Sequence, residues 1–122
     1  MVIDLARIPA ADLPALGAIS AVTLAELTAG PHATTDSAER ARRQDRLQQV
    51  EARLDAIPVD GAVARAYGVV FAAVLAAGRK PRGPRVLDLL IAATAMANQL
   101  PLYTRNPDDF AGLGHLVQIV AV

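Results

Sequence analysis

The chain has 122 residues, of which 53% are hydrophobic and 20% charged, a composition that suits one folded domain and excludes a disordered chain. It contains no cysteine and only two histidines, which excludes disulfides, thiolate metal sites and a histidine-rich zinc cluster. Its formal net charge is zero, which argues against a simple polybasic nucleic-acid binder, and no membrane span or signal peptide is evident, so we expect a soluble cytoplasmic protein.

The first half of the sequence alternates short apolar stretches with helical segments. The opening MVID contains a β-branched pair that is a candidate for the end of a first strand, with Asp4 directly after it. Residues 18–20 predict a short strand, and a helix follows from the N-cap candidate Ser20 to Gly30-Pro31. A highly charged helix begins at Thr35 or Asp36, and AIPVD indicates another short strand.

The second half continues the same alternation. A mostly apolar helix is predicted over 62–77, followed by the basic loop RKPRGPR and by the apolar helix VLDLLIAATAMANQ. LPLYTRN predicts a strand leading into a turn, PDDF a short helix that begins with proline, and HLVQIVAV a terminal strand. Alternating strands and helices are typical of an α/β fold with a mostly parallel sheet, which binds ligands outside the carboxyl ends of its strands.

Several acidic residues lie in apolar surroundings after predicted strands. Asp88 stands in VLDLLIAATA, where an unpartnered buried carboxylate would be costly, although an Asp in a first helical turn is also favoured by the helix dipole. Glu26 follows the strand at 18–20, and Asp108 and Asp109 follow LYTRN. Each of them, taken alone, is explained by a solvated or helix-starting position.

Taken together, these positions predict a metal site. Strand ends in a parallel sheet meet at one edge, where several carboxylates would repel one another unless a divalent cation lay between them. Such a cation would polarise a phosphodiester and activate a water. Thr104 and Asn106 add neutral oxygens at the same edge.

Basic residues next to these positions suggest a substrate. Four cations precede the Asp88 helix, and a fifth precedes the Asn106 turn; they are Arg79, Lys80, Arg82, Arg85 and Arg105. They are placed to contact a phosphate backbone, although a solvated loop is the simpler explanation for most such clusters. The run from Glu39 to Arg43 is interpreted as an exposed or partner-docking helix face.

Three stretches resemble the PIN-domain ribonucleases, in particular the VapC-type toxins of bacterial type II toxin–antitoxin modules. They are ISAVTLAEL, RGPRVLDLLIAATA and LPLYTRNPDDF, in the family's order. The resemblance implies a single domain over residues 1–122, built as a three-layer sandwich of a sheet between helices, which cleaves RNA with Mg²⁺ or Mn²⁺. It also implies a homodimer inhibited by a cognate VapB-like antitoxin.

The resemblance assigns roles to individual residues. Glu26, Asp88 and Asp109 would be catalytic metal ligands, direct or through water, with Asn106 and Thr104 as supporting residues. Asp108 is a weaker candidate than Asp109, which aligns with the family's Asp-Phe pair.

The N-terminus departs from the family pattern. The family's first strand ends in Asp-Thr-Ser or Asp-Thr-Asn, whereas Asp4 is followed by Leu5-Ala6, and only three residues precede it. The spacing to Glu26 is also short for the family. We therefore expect that the chain starts late, that the first strand is missing, and that Asp4 lies in a helix and is not a ligand.

Two alternatives to a ribonuclease toxin remain at this point. One is a catalytically impaired PIN-like module that binds an antitoxin or dimerises without cleaving RNA. The other is an α/β phospho-acceptor domain with an acidic Mg²⁺ pocket, which is disfavoured because no acidic pair follows the first strand.

Overall fold

Five short strands form the centre of the molecule. This computed structural model describes residues 1–4 and 17–122, and its strands are β1 (Val2–Ile3), β2 (Ala18–Ser20), β3 (Asp55–Ile57), β4 (Leu102–Thr104) and β5 (Ile119–Ala121). Their order across the sheet is β3-β2-β1-β4-β5, and every neighbouring pair is parallel. The α/β prediction is confirmed, and β1 is the central strand.

Within residues 17–122 the structure has four helices: α1 (Ala21–Ala29), α2 (Ser37–Arg53), α3 (Gly61–Ala76) and α4 (Arg85–Ala97). The turns Gly30–Ala33 and Pro107–Phe110 are 3₁₀. Ser20 caps α1 as expected, because its side chain accepts a hydrogen bond from the Val22 backbone N–H at 3.1 Å. Among the described residues, no helix has the length and apolar character needed to cross a membrane.

The core lies on both faces of the sheet. Val2 belongs to a large cluster with apolar residues of α3 and α4, whereas Ile3 packs in a second cluster with Val50 and Leu54 from the α2 side. Successive side chains on a strand point to opposite faces. Two residues of β1 therefore contribute to both helical layers.

The expectation that the first strand is missing is wrong. Val2 pairs with Ala18 on one side and Leu102 on the other, and the Asp4 backbone N–H continues this pairing by donating to the Tyr103 carbonyl at 2.8 Å. Asp4 therefore follows the strand directly and does not lie in a helix. Strand length was a poor guide because the other four strands have only three residues each.

Candidate active site

The candidate site lies at the carboxyl ends of β1 and β4. The sheet extends from β1 through β2 and β3 on one side, and through β4 and β5 on the other. A crevice forms at such a switch point in open parallel sheets and is where they bind ligands. Asp4 follows β1 and Thr104 ends β4, so both lie at this crevice.

Asp4 is held by a hydroxyl from the neighbouring strand. The Thr104 Oγ1 donates to the Asp4 Oδ2 at 2.9 Å and accepts from the Asn106 backbone N–H at 3.0 Å. Asp4 is 6% exposed and Thr104 is fully buried. The two bonds use the hydroxyl as donor and as acceptor, which fixes its orientation and joins the first strand to the turn after β4.

Glu26 reaches the same region from α1. Ser20 anchors the start of this helix, since its Oγ caps the helix and lies 3.3 Å from the Thr94 Oγ1 on α4. Glu26 keeps solvent contact along its side chain. Partial burial of its carboxyl raises the pKa of Glu26, and the charge of Asp4 raises it further.

Asp88 is the most perturbed carboxylate of the cluster. It lies in the first turn of α4 and is partly buried. Burial raises the pKa of Asp88 from its ordinary 3.8 to about 6, and the charges of Asp109, Asp4 and Glu26 add to the rise, while Arg85 opposes it. The sheet therefore brings together the three predicted acids and also Asp4.

Asp109 is carried by a turn that is fixed from two sides. Phe110 follows it and is only 1% exposed, so its ring anchors the turn in the core. From the end of α3, the Arg79 Nη1 donates to the Asp108 carbonyl at 2.9 Å. Gly112 packs closely against Ala77, because a Cβ added there would lie 2.9 Å from the Ala77 Cβ.

The side chains predicted to contact RNA differ in their exposure and in their interactions within the chain. Arg85 is near enough to Asp88 to lower its pKa, and Arg79 is hydrogen-bonded to the Asp109 turn. Lys80 and Arg82 are exposed on the loop between α3 and α4, and Arg105 is exposed and has an interaction within the chain. The run from Glu39 to Arg43 on α2 is mostly exposed, as predicted, and Arg40 and Arg43 also donate hydrogen bonds to carbonyls within residues 30–34.

The donor chemistry of the cluster suits Mg²⁺ or Mn²⁺, which prefer carboxylate oxygens. Burial, and after it the negative charges of Asp109, Asp4 and Glu26, raise the pKa of Asp88, and a divalent cation would stabilise its ionised form. Within residues 1–4 and 17–122, no three His, Asp or Glu side chains are already grouped for metal binding. The residues present fit the cation in chemistry and charge.

Comparison with known proteins identifies the fold family. A family model described as the PIN domain matches residues 5–116, which is most of the chain. The chain belongs to the PIN-domain family. The family predicted from the three motifs is therefore confirmed, and family members of this class are typically metal-dependent.

The relatives of this PIN-domain chain place it among VapC proteins. It is 38% identical to Ribonuclease VapC5 of Mycobacterium tuberculosis over 83% of this chain and 71% of that protein. It is 42% identical to Ribonuclease VapC8 of the same species over 70% of this chain and 74% of that protein. The crystal structure of VapBC-5 from M. tuberculosis matches with a TM-score of 0.82 and 35% identity, covering 99% of this chain and 97% of that one. VapBC2 from Rickettsia felis matches with a TM-score of 0.69 and 26% identity, covering 87% of this chain and 74% of that one.

Asp4 was not expected to be a ligand, but the structure places it at the candidate site. The alternation of strands and helices in the sequence did point to Asp4, because Asp4 directly follows the first apolar pair, just as the other candidate acids come after later predicted strands. The missing Thr-Ser pair hid it, since the hydroxyl bonded to Asp4 comes from Thr104, one hundred residues away in sequence.

Proposed function

We propose that this protein is a VapC-type endoribonuclease toxin that hydrolyses RNA phosphodiesters at the cluster of Asp4, Glu26, Asp88 and Asp109. The observation that carries the proposal is the convergence of four carboxylates at the switch point, where the charges of Asp109, Asp4 and Glu26 add to the rise that burial causes in the pKa of Asp88. The relatives named ribonucleases support the same activity.

Asp4 and Asp88 are the residues best placed to hold Mg²⁺ or Mn²⁺, because both are at least partly buried and approach from different elements. Glu26 and Asp109 would complete the site from the solvent side. A bound divalent cation would polarise the scissile phosphate and lower the pKa of a water nucleophile. Thr104 and the Asn106 backbone would keep the Asp4 carboxylate in place.

A catalytically impaired module is the second candidate, and it was motivated by the apparent loss of the first-strand carboxylate. Asp4 occupies that position in the structure. The donor set therefore supports an active nuclease over an impaired one. Family membership likewise favours phosphodiester hydrolysis over a phospho-acceptor function.

We infer the protein partners of this chain from those of its relatives. The solved structures it resembles are VapBC complexes of toxin–antitoxin systems, which supports a VapB-like antitoxin as its inhibitor. We also propose a homodimer. Sedimentation of the purified chain alone and with the product of the adjacent gene would measure both associations.

The decisive experiment compares RNA cleavage by the wild type with that by Asp4→Asn and Asp88→Asn. We expect cleavage of a mixed RNA panel in Mg²⁺ by the wild type, none in EDTA, and background cleavage by both variants. Asp45→Asn, an exposed change on α2, is the matched control and should remain active. Undiminished cleavage by Asp4→Asn would remove Asp4 from the site, and the absence of cleavage by a Mn²⁺-binding wild type would favour the impaired module.

A further inference from the structure

An apolar pocket lies beside the loop that precedes Asp88. Phe71, Leu75 and Pro81 form its apolar lining, Lys80 and Arg82 flank it, and its volume is about 290 Å³. This is at the lower end of the range for ligand pockets, so it suits one small group. Phe71 and Leu75, four residues apart on α3, are 37% and 54% exposed, so they place two adjacent apolar side chains at the surface.

The charge around this pocket is of one sign. Residues 61–87 contain no Asp or Glu, and their cations are Arg65, Arg79, Lys80, Arg82 and Arg85. The chain as a whole has no net charge, so positive charge is concentrated in this segment. Within the described residues, the side chains of Lys80 and Arg82 are joined to no carboxylate, which leaves them available to an anion.

The pocket is physically connected to the acidic cluster. Arg79, at the start of the loop, is hydrogen-bonded to the Asp108 carbonyl in the turn that carries Asp109. The far end of the loop leads into Arg85 and the first turn of α4, where Asp88 lies. An RNA chain bound at the acidic cluster would therefore lie next to a cationic surface that carries an exposed aromatic ring.

We infer that this pocket is an RNA subsite, which receives one unpaired base against Phe71 and Leu75 while the adjoining phosphates contact Lys80 and Arg82. The inference rests on the proposed function, because it names how the substrate of the same site is held. Single-stranded nucleic acids bind surfaces that combine cations along the backbone with aromatic rings on which bases stack. The subsite accepts any base, since every base has a flat face, and it favours unpaired over duplex RNA.

The test measures binding of a short single-stranded oligoribonucleotide in EDTA, so that binding is read without cleavage. We expect Phe71→Ala to weaken binding by roughly fivefold to a hundredfold, the loss expected for one stacked base. Phe71→Leu keeps an apolar side chain without the ring and should also weaken binding. Val69→Ala is the matched control, because Val69 is 45% exposed on the same helix and does not line the pocket.

Two further measurements identify the contact. The chain has no tryptophan, so Phe71→Trp introduces a single tryptophan, whose fluorescence can be excited selectively and should be quenched when the oligoribonucleotide binds. Lys80→Ala and Arg82→Ala should each lower the salt dependence of binding by about 0.7 in the logarithmic slope. A duplex of the same sequence should be bound less tightly than the single strand.

Unchanged RNA binding by a folded Phe71→Ala protein would overturn the inference. A Phe71→Ala protein that binds RNA normally but binds the purified antitoxin less tightly would also overturn it, because the pocket would then be a protein-docking site. These outcomes leave the proposed nuclease function intact, since cleavage in Mg²⁺ is measured separately. Conversely, Phe71-dependent RNA binding without cleavage in Mg²⁺ would retain the subsite and reject the nuclease.

Discussion

Replacement of Asp88 by asparagine should stabilise the protein in the absence of divalent cations. Burial and the charges of Asp109, Asp4 and Glu26 raise the pKa of Asp88 to about 6. The folded state therefore disfavours the ionised carboxylate, which is the form that prevails at neutral pH. Asparagine has nearly the same shape and carries no charge, so Asp88→Asn removes the repulsion.

The size of the gain follows from the pKa. A rise from 3.8 to about 6 corresponds to a free energy of about 3 kcal/mol at neutral pH, and solvent screening of this partly exposed carboxyl reduces it to about 1–2 kcal/mol. Because the folded protein holds this proton more tightly than the unfolded chain, wild-type stability should fall as pH rises from about 4 to above about 6. The stabilising effect of Asp88→Asn should therefore be absent below pH ~4 and complete above the raised pKa.

Thermal and urea unfolding in EDTA at several pH values would measure this effect, with Asp45→Asn on α2 as the control. At neutral pH we expect a rise in Tm of about 4–8 °C for Asp88→Asn and no comparable change for the control. Mg²⁺ should stabilise the wild type more than Asp88→Asn. An Asp88→Asn protein that is no more stable than the wild type at neutral pH in EDTA would refute the conclusion that burial and neighbouring negative charge destabilise the ionised Asp88.

Three further variants test how the site is positioned. Thr104→Val should weaken Mn²⁺ binding in calorimetry and slow RNA cleavage, because a buried hydrogen bond to the Asp4 carboxylate is worth about 1.5–3 kcal/mol. Thr104→Ser keeps the hydroxyl and should retain both Mn²⁺ binding and cleavage. Equal loss in the two variants would contradict a role for the hydroxyl. Ser20→Ala should lower the free energy of unfolding by about 1 kcal/mol through loss of the α1 N-cap, measured in urea, and an unchanged midpoint would count against the cap. Gly112→Ala should lower it by about 1 kcal/mol or more, because Gly112 has φ +85° and closely approaches Ala77, and thermal unfolding that matches the wild type would show that this contact relaxes freely.

Much of the fold was predictable because local signals and the global fold agree. The helix bounds followed from caps and breakers such as Ser20 and Gly30-Pro31, and the strand at 18–20 is observed as predicted. The alternation of these elements gave a parallel sheet, and hence the convergence of strand ends. Glu26, Asp88 and Asp109 were predicted by this argument, and their proximity adds to the rise that burial causes in the pKa of Asp88.

The first strand was recognisable only as a candidate, and local pattern could not decide whether it forms. Its two residues gain their stability from backbone pairing with β2 and β4 and from burial on both faces, and none of these contacts is visible in the letters MVID. The partner of Asp4 was hidden for the same reason. A rule based on the residues next to Asp4 in sequence could not find a hydroxyl supplied by Thr104.

The bond between Asp4 and Thr104 spans almost the entire chain, and this has a consequence for when activity can arise during synthesis. The central strand is made first, but one of its two neighbours, β4, begins only at Leu102. Until that segment has left the ribosome, β1 lacks a pairing partner on one side, and the cluster lacks both Thr104 and Asp109. Contacts of such long sequence separation form late in folding. The acidic centre therefore cannot assemble until the ribosome has released the segment that carries Thr104 and Asp109, one hundred residues or more after Asp4, and RNA cleavage is delayed until then.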